Sequence, residues 1–173
     1  MAEGARPFRP GPMLAALEEA GVDYVVIGGT AAVIGGATHV TFDLDITPSR
    51  DEANLDRLVS ALRKLNARVS GVPPEAAEWF QLEGRALAAG SAWKFLTDHG
   101  GLDVSLDPDG THGYLDLRRN AVRTAAYGIE FQVAALEDVI RSKEAADRPR
   151  DRAVLPDLRR TLELRRRRER GGR

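Results

Sequence analysis

The sequence predicts a mixed α/β (α+β) domain, in which a small mixed β-sheet is flanked by helices and more helices follow at the C-terminal end. Three observations indicate this class. Short apolar runs rich in β-branched residues, such as residues 23–28 and 102–106, are typical of buried strands. Leucines at three- and four-residue steps in residues 51–65 are typical of an amphipathic helix. Helices and strands do not alternate regularly along the chain, which favours a mixed sheet over a fully parallel one.

The composition indicates a single domain with a hydrophobic core. The chain has 173 residues, 43% of them apolar, and no cysteine, which excludes disulfides and cysteine-bound zinc. Residues 1–12 contain no apolar run of the kind found in signal peptides or membrane anchors, so we expect a cytoplasmic protein without a membrane partner. We divide the chain into a flexible N-terminal arm (1–12), a domain (13–158) and a basic C-terminal tail (159–173).

The elements expected in the first half of the chain are bounded mostly by glycine and proline. They are a helix over 13–20, a strand over 23–28, a small helix over 31–34, a strand over 41–47 and a long helix over 51–65. Gly21 ends the first helix, and Gly28-Gly29 break the first strand. Pro48 ends the second strand, and Ser49 is a suitable N-cap for the long helix.

The second half of the chain is expected to contain further strands and then helices. They are a loop with short pieces of structure over 72–90, strands over 93–97 and 102–106, a helix over 114–121, a hairpin of 122–126 with 129–133, and helices over 136–146 and 151–165. Tyr127-Gly128 is the hairpin turn, and Pro149 separates the last two helices. Pro156 must lie in the first turn of its helix or kink it.

Residues 159–173 are strongly basic, although the whole chain carries a net charge of −1. One interpretation is the solvated end of the last helix, where cations also suit the helix dipole. The other is a tail that contacts RNA phosphates. The sequence leaves both interpretations open.

The strongest local motif is Asp43-Leu44-Asp45-Ile46 in the second predicted strand. Because successive strand side chains point to opposite faces, Asp43 and Asp45 share one face while Leu44 and Ile46 face the core. Two neighbouring carboxylates repel each other unless a cation lies between them, and Mg²⁺ suits such a pair. The alternative is an exposed edge strand with two solvated aspartates.

Two other features accompany this motif. Gly28-Gly29 ends a strand before a short helix, where backbone N–H groups can approach a phosphate closely, although a plain strand-to-helix turn reads the same way. Asp103 lies in an otherwise apolar strand, where a carboxylate is costly unless it is paired, metal-bound or at an exposed strand end. The glycine turn, the carboxylate pair and the later strand carboxylate follow one another in a fixed order.

The order of these motifs resembles that in the DNA polymerase β-like nucleotidyltransferase superfamily. It is most similar to the branch of bacterial toxin-like proteins of the AbiEii and MenT types. The resemblance spans about residues 21–158. It is carried by residues 25–32, 41–46, 102–104, 136–143 and 148–151. It implies the nucleotidyltransferase fold, with a turn that holds a triphosphate and carboxylates that hold one or two metal ions.

The resemblance implies a role for each carboxylate. Asp43 and Asp45 would bind Mg²⁺, and Asp103 would be a third metal ligand that assists the attacking hydroxyl. The implied reaction is the transfer of a nucleoside monophosphate from an NTP to an acceptor hydroxyl on tRNA or a protein, with a cognate antitoxin as a partner. The alternatives are a catalytically inactive nucleotide-binding protein of the same fold and an RNA-binding module.

The resemblance also implies contacts to the nucleotide. Gly28, Gly29 and Thr30 would lie against the β- and γ-phosphates. Lys143 would contact the same phosphates, unless it is an ordinary solvent-facing lysine. Asp151 would be the C-terminal acidic motif, unless it is the N-cap of the last helix. Many members of the superfamily have Gly-Ser at the turn, so a serine contact to phosphate is missing here. The chain is also shorter than many proteins of the toxin-like branch, which leaves little room for a separate acceptor-binding domain.

Overall fold

A computed structural model describes residues 7–38, 40–73 and 82–172. Over these ranges the chain forms a seven-stranded mixed sheet with helices packed against it, which confirms the predicted fold class. The strands are β1 (Tyr24–Ile27), β2 (Asp43–Pro48), β3 (Arg68–Val69), β4 (Ala92–Thr97), β5 (Gly100–Ser105), β6 (Val122–Ala126) and β7 (Ile129–Val133). The helices are α1 (Pro10–Glu19), α2 (Gly28–Ile34), α3 (Glu52–Lys64), α4 (Gly84–Ala89), α5 (Tyr114–Asn120), α6 (Leu136–Ala146) and α7 (Pro149–Gly171).

The strand order is β3-β4-β5-β2-β1-β7-β6, so β5, β2 and β1 lie in the interior of the sheet. β2 runs antiparallel to β1 and parallel to β5, and β1 runs parallel to β7. Leu44, Ile46, Leu102 and Val104 on β2 and β5 are all buried. These alternate residues form one side of the core, and the intervening residues of both strands therefore face the opposite side.

Helix α3 has the predicted leucine stripe but not the predicted cap. Leu55, Leu58 and Leu62 are fully buried, as their spacing requires. The N-cap is Asp51, not Ser49, because the Asp51 carboxylate accepts a hydrogen bond from the backbone N–H of Asn54 at 3.2 Å.

Two further boundaries differ from the expectation. Helix α1 begins at Pro10, within the segment expected as a flexible arm, because a proline in the first turn sacrifices no helical hydrogen bond. Helix α2 begins at Gly28 itself, directly after β1. The loop expected over 72–90 contains helix α4, in keeping with the short pieces of structure expected there. Residues 74–81 of that loop and residues 1–6 of the arm lie outside the described residues.

The basic tail continues helix α7, which runs through Pro156 to Gly171. Leu155 and Leu158 are buried, whereas most side chains beyond them are exposed, as expected for a solvated helix end. Arg166 donates to Glu137 of α6 at 3.1 Å. Contact of this tail with RNA stays a prediction. None of the helices in the described ranges, this long one included, has the length and apolar character needed to cross a membrane.

The side chain of Asn54 joins β1, β2 and α3 at the end of the sheet away from the carboxylates. It is fully buried, and its Oδ1 accepts from the backbone N–H of Asp23 at 2.7 Å. Its Nδ2 donates to the carbonyl oxygens of Asp23 at 3.0 Å and Ser49 at 2.9 Å. A short side chain at this position therefore satisfies three backbone groups next to a buried strand.

We predict that Asn54→Ala lowers the free energy of unfolding by about 2–3 kcal/mol, because it leaves buried backbone donors and acceptors without partners. Urea denaturation monitored by circular dichroism measures the change. The control is Asn120→Ala, which removes the single, part-buried hydrogen bond that this exposed side chain donates to Asp138 and should cost at most about 1 kcal/mol. Equal losses in the two variants would contradict the proposed importance of Asn54.

Candidate active site

Three charged side chains form a row across neighbouring strands. In the parallel pairing of β2 with β5, Asp45 lies opposite Asp103. In the antiparallel pairing of β4 with β5, Asp103 lies opposite Lys94, and the Lys94 ammonium pairs with Asp103 Oδ2. Asp43 lies two residues before Asp45 on the same face, opposite Gly101. The strand pairing therefore brings together the three carboxylates that the sequence singled out.

The carboxylate of Asp45 lies directly against Gly28. Gly28 has a φ of +63°, and a Cβ added there would be 2.6 Å from Asp45 Cγ and 2.9 Å from Asp45 Cβ. The backbone N–H of Gly29 donates to the Asp45 carboxylate. Glycine is therefore required at position 28 by both its backbone conformation and the close approach of the side chain. A phosphate bound by the Gly29 N–H would have to compete with Asp45 for this donor.

The pKa of Asp45 is raised from 3.8 to about 7. Burial is the main cause, and the negative charges of Asp43 and Asp103 add to it. The hydrogen bond from Gly29 and the charge of Lys143 act in the opposite direction but are outweighed. A cation placed between these carboxylates would favour the ionised form of Asp45.

Two threonines hold the beginning of β2. Thr41 Oγ1 donates to the main-chain oxygen of Asp43 at 3.1 Å and also lies 3.2 Å from its Oδ1. Thr30 is buried, and its Oγ1 donates to the same main-chain oxygen at 3.1 Å. Thr30 was predicted to contact nucleotide. Its hydroxyl instead ties α2 to β2, and such a contact would have to replace this bond.

Lys143 and Asp151 form an ion pair between α6 and α7, with Nζ 3.0 Å from Oδ1. Their side chains are 17% and 7% exposed, so Lys143 is not an ordinary solvent-facing lysine. Asp151 is the third residue of α7 rather than its N-cap, which is Arg148. Asp151 Oδ2 is buried without a hydrogen bond, and Arg148 Nε lies 3.9 Å from it. The helices thus bring a partly shielded cation and its partner to the carboxylate site.

These groups line one cavity of about 560 Å³. Its walls include the glycine turn, the three aspartates, Lys94, Lys143 and Asp151. Such a volume lies within the range of about 300–1,000 Å³ that is usual for small-molecule and cofactor sites. Of the residues predicted at the site, Thr30 is not part of the lining.

Lys94 and Asp138 are among the charged cavity residues that sequence reasoning missed. The signal for Lys94 was present: in a hairpin that turns at residues 98–99, residues 94 and 103 are equally far from the turn and share a face. Asp138 is buried near the start of α6 and pairs with Arg141 at 3.0 Å. From sequence it reads as an ordinary acidic residue that suits a helix N-terminus.

The carboxylates fit Mg²⁺ in one particular way. In the described part of the chain, no group of three or more His, Cys, Asp or Glu side chains is arranged to surround a metal ion. Mg²⁺ is usually held by one or two carboxylates with waters and substrate phosphates, and needs no such cage. Asp43 and Asp45 supply two carboxylates on one face beside the cavity, whereas Asp103 is paired with Lys94.

Solved structures of similar fold include nucleotidyltransferases. The lincosamide antibiotic adenylyltransferase LnuA, with lincomycin bound, superposes with a TM-score of 0.59 at 13% identity, over 89% of this chain and 98% of its own. A Thermotoga maritima protein, provisionally assigned as a nucleotidyltransferase, gives 0.55 at 15% identity, over 95% and 99%. The antibiotic-resistance factor ANT(2'')-Ia gives 0.53 at 14% identity, over 88% and 80%. These TM-scores establish a shared fold.

Sequence comparison adds no closer relationship. No protein-family model matches the chain, and no curated protein is significantly similar to it. The resemblance to nucleotidyltransferases is therefore confirmed at the level of the fold. The narrower resemblance to the toxin-like branch stays a prediction.

We predict that the metal-free protein becomes less stable as pH rises from about 4 to about 7. In this interval Asp45 is ionised in the unfolded chain, where its pKa is near 3.8, but stays protonated in the folded chain, where its pKa is about 7. Unfolding then releases a proton, so the free energy of unfolding falls with rising pH. Urea denaturation in EDTA at several pH values measures it.

The variant Asp45→Asn should remove this contribution, and its free energy of unfolding should depend less steeply on pH in that interval. The exposed carboxylate of Glu19 provides the control, because Glu19→Gln should retain the wild-type dependence. Parallel curves for wild type and Asp45→Asn would show that the pKa of Asp45 is not raised.

We predict that Lys143→Met lowers the free energy of unfolding by about 3 kcal/mol, because the buried Asp151 carboxylate loses its closest cation. The double variant Lys143→Met, Asp151→Leu should recover most of the loss, since no unpaired charge remains. Urea denaturation of the four members of this cycle measures the coupling. A Lys143→Met variant as stable as wild type would contradict the pairing.

Proposed function

We propose that this protein is a Mg²⁺-dependent nucleotidyltransferase that moves a nucleoside monophosphate from an NTP to an acceptor hydroxyl. The observation that carries the proposal is the register that sets Asp45 opposite Asp103, with Asp43 on the same face and Gly28 against Asp45. All four line a cavity large enough for a nucleotide. A fold shared with adenylyltransferases supports the proposal.

In this proposal Asp43 and Asp45 hold the metal. When bound, Mg²⁺ neutralises charge on the triphosphate and orients it for in-line displacement at the α-phosphorus. Burial is the main cause of the raised pKa of Asp45, and the repulsion from Asp43 and Asp103 that adds to it is what a bound cation would relieve, which supports this assignment. Because Gly28 and Gly29 have no side chains, phosphates can approach the backbone here.

The remaining groups act on the acceptor and the leaving group. Asp103 lies beside the metal-binding pair and accepts the proton of the attacking hydroxyl. Lys143 stabilises the negative charge that develops on the departing pyrophosphate. Asp151 keeps Lys143 in place through the 3.0 Å ion pair and is a positioning residue.

Two kinds of acceptor are considered for the transferred nucleotide: a macromolecule and a small molecule. The resemblance of the sequence to toxin-like proteins implies tRNA or a protein as acceptor and an antitoxin as partner. Two proteins of similar fold point to small hydroxylated molecules: LnuA with lincomycin, and ANT(2'')-Ia in complex with adenylyl-2''-tobramycin. The match with LnuA covers 89% of this chain and 98% of LnuA, so the domain described here corresponds to nearly the whole of LnuA. This comparison favours an acceptor small enough to share the cavity with the nucleotide.

We predict that Asp43→Asn and Asp45→Asn each lower the rate of nucleotide transfer at least about 100-fold, because each removes a carboxylate that balances the charge of the metal. The assay incubates protein with Mg²⁺, cell extract and each of four α-³²P-labelled NTPs in turn. Label is then followed into RNA, protein and the acid-soluble fraction. The control Asp23→Asn removes an exposed carboxylate outside the cavity and should keep wild-type activity.

Each outcome of this assay has a defined meaning. Label in the acid-soluble fraction in a form other than NTP or its hydrolysis products supports a small acceptor. Label in RNA or protein supports the acceptors implied by the toxin-like resemblance. Nucleotide binding without transfer of label in any fraction supports the inactive nucleotide-binding alternative. Full transfer by both aspartate variants would show that the metal site is assigned wrongly.

A further inference from the structure

Lys94 supplies a positive charge next to one of the three carboxylates of the site. It is directly opposite Asp103 in the β4–β5 hairpin, and its ammonium pairs with Asp103 Oδ2. The Lys94 side chain is 66% exposed and reaches the rim of the cavity, whereas that of Asp103 is 21% exposed. The register fixes this pairing, because residues opposite each other on antiparallel strands share a face.

A lysine ammonium and a divalent cation compete for the same carboxylate. In a two-metal site the ions lie about 3.5–4 Å apart, and a third carboxylate must be available to the second ion. A cation on Asp103 would meet the positive charge of Lys94 at contact distance, where repulsion is strong. Over residues 7–38, 40–73 and 82–172, the three aspartates do not form a ready-made metal cluster.

We propose that Lys94 takes the place beside Asp103 that a second metal ion would occupy, so that this site binds one divalent cation, on Asp43 and Asp45. The inference rests on the proposed function and deepens it, because it sets the number of metal ions and adds Lys94 to the residues that position the reaction. Lys94 acts through Asp103 and is a positioning residue.

In the proposed transfer step, every proton and electron pair is accounted for without a second metal ion. Lys94 holds Asp103 through Oδ2, which leaves Oδ1 for the acceptor hydroxyl. The hydroxyl proton passes to Asp103 as the acceptor oxygen bonds to the α-phosphorus. The bond from the α-phosphorus to the α–β bridging oxygen breaks, and pyrophosphate leaves with that electron pair. Lys94 retains its proton throughout.

A purely structural role for this ion pair is the competing explanation. Exposed ion pairs contribute little to stability, so replacing Lys94 should leave the fold intact. Lys64 and Glu19 form a matched exposed pair away from the cavity. Lys64→Met is therefore a control that removes an equivalent lysine without touching the carboxylate site.

Titration of the metal-free chain with Mn²⁺, followed by electron paramagnetic resonance of the unbound ion, counts the bound ions directly. We expect one Mn²⁺ per chain for wild type, for Lys64→Met and for the charge-conserving Lys94→Arg. We expect two for Lys94→Met, because Asp103 is then available to a second ion. Lys94→Gln is a second uncharged variant and should behave like Lys94→Met. Circular dichroism checks that each variant is folded.

The count separates the inference from the proposal on which it rests. Two ions in wild type, or one ion in both Lys94→Met and Lys94→Gln, would overturn the role of Lys94 while leaving the metal site in place. No bound Mn²⁺ in wild type would overturn the metal site itself and the inference with it. The measurement does not depend on knowing the nucleotide or the acceptor.

Discussion

The carboxylate of Asp45 packs against the backbone of Gly28, in a space that no other residue type leaves open. This contact links the end of β1, the start of α2 and the middle of β2, because Asp45 lies opposite Ile27 in the antiparallel pairing. The N–H of Gly29 completes the contact by donating to the same carboxylate. This contact fixes Asp45 on the side of the sheet that faces the cavity, which Asp43 and Asp103 share.

Balance of charge is the second constraint on the site. Three carboxylates converge from two adjacent strands, and without cations they would repel each other. Lys94 approaches from the adjacent strand β4, and Lys143 approaches from helix α6. Lys94 is paired with Asp103, and Lys143 is paired with Asp151. The negative charges of Asp43 and Asp45 are therefore the least compensated by nearby positive charge. Within the site, this pair is therefore the position most suited to an added cation.

Predictions were confirmed where residues close together in the sequence decide the local structure. The leucine stripe of α3 and the hairpin turn at Tyr127-Gly128, where both residues have positive φ, follow from periodicity and turn chemistry. The cap of α3 was predicted wrongly because a local competitor decided it: Asp51 rather than Ser49 caps the helix. The contact of Thr30 with nucleotide stays a prediction, and the structure shows its hydroxyl bonded to β2. Lys94 was missed because an exposed lysine on a strand looks unremarkable until its cross-strand partner is known.

The sequence by itself determined the fold class, the common face of Asp43 and Asp45, and the glycine turn, because alternation along a strand and the conformational freedom of glycine are local properties. Only the tertiary structure decided that Asp103 lies beside Asp45 and that Asp151 is paired with Lys143. The physical reason is that strand order and helix packing join segments distant along the chain. A carboxylate's role at this site depends on which charges those segments bring to it.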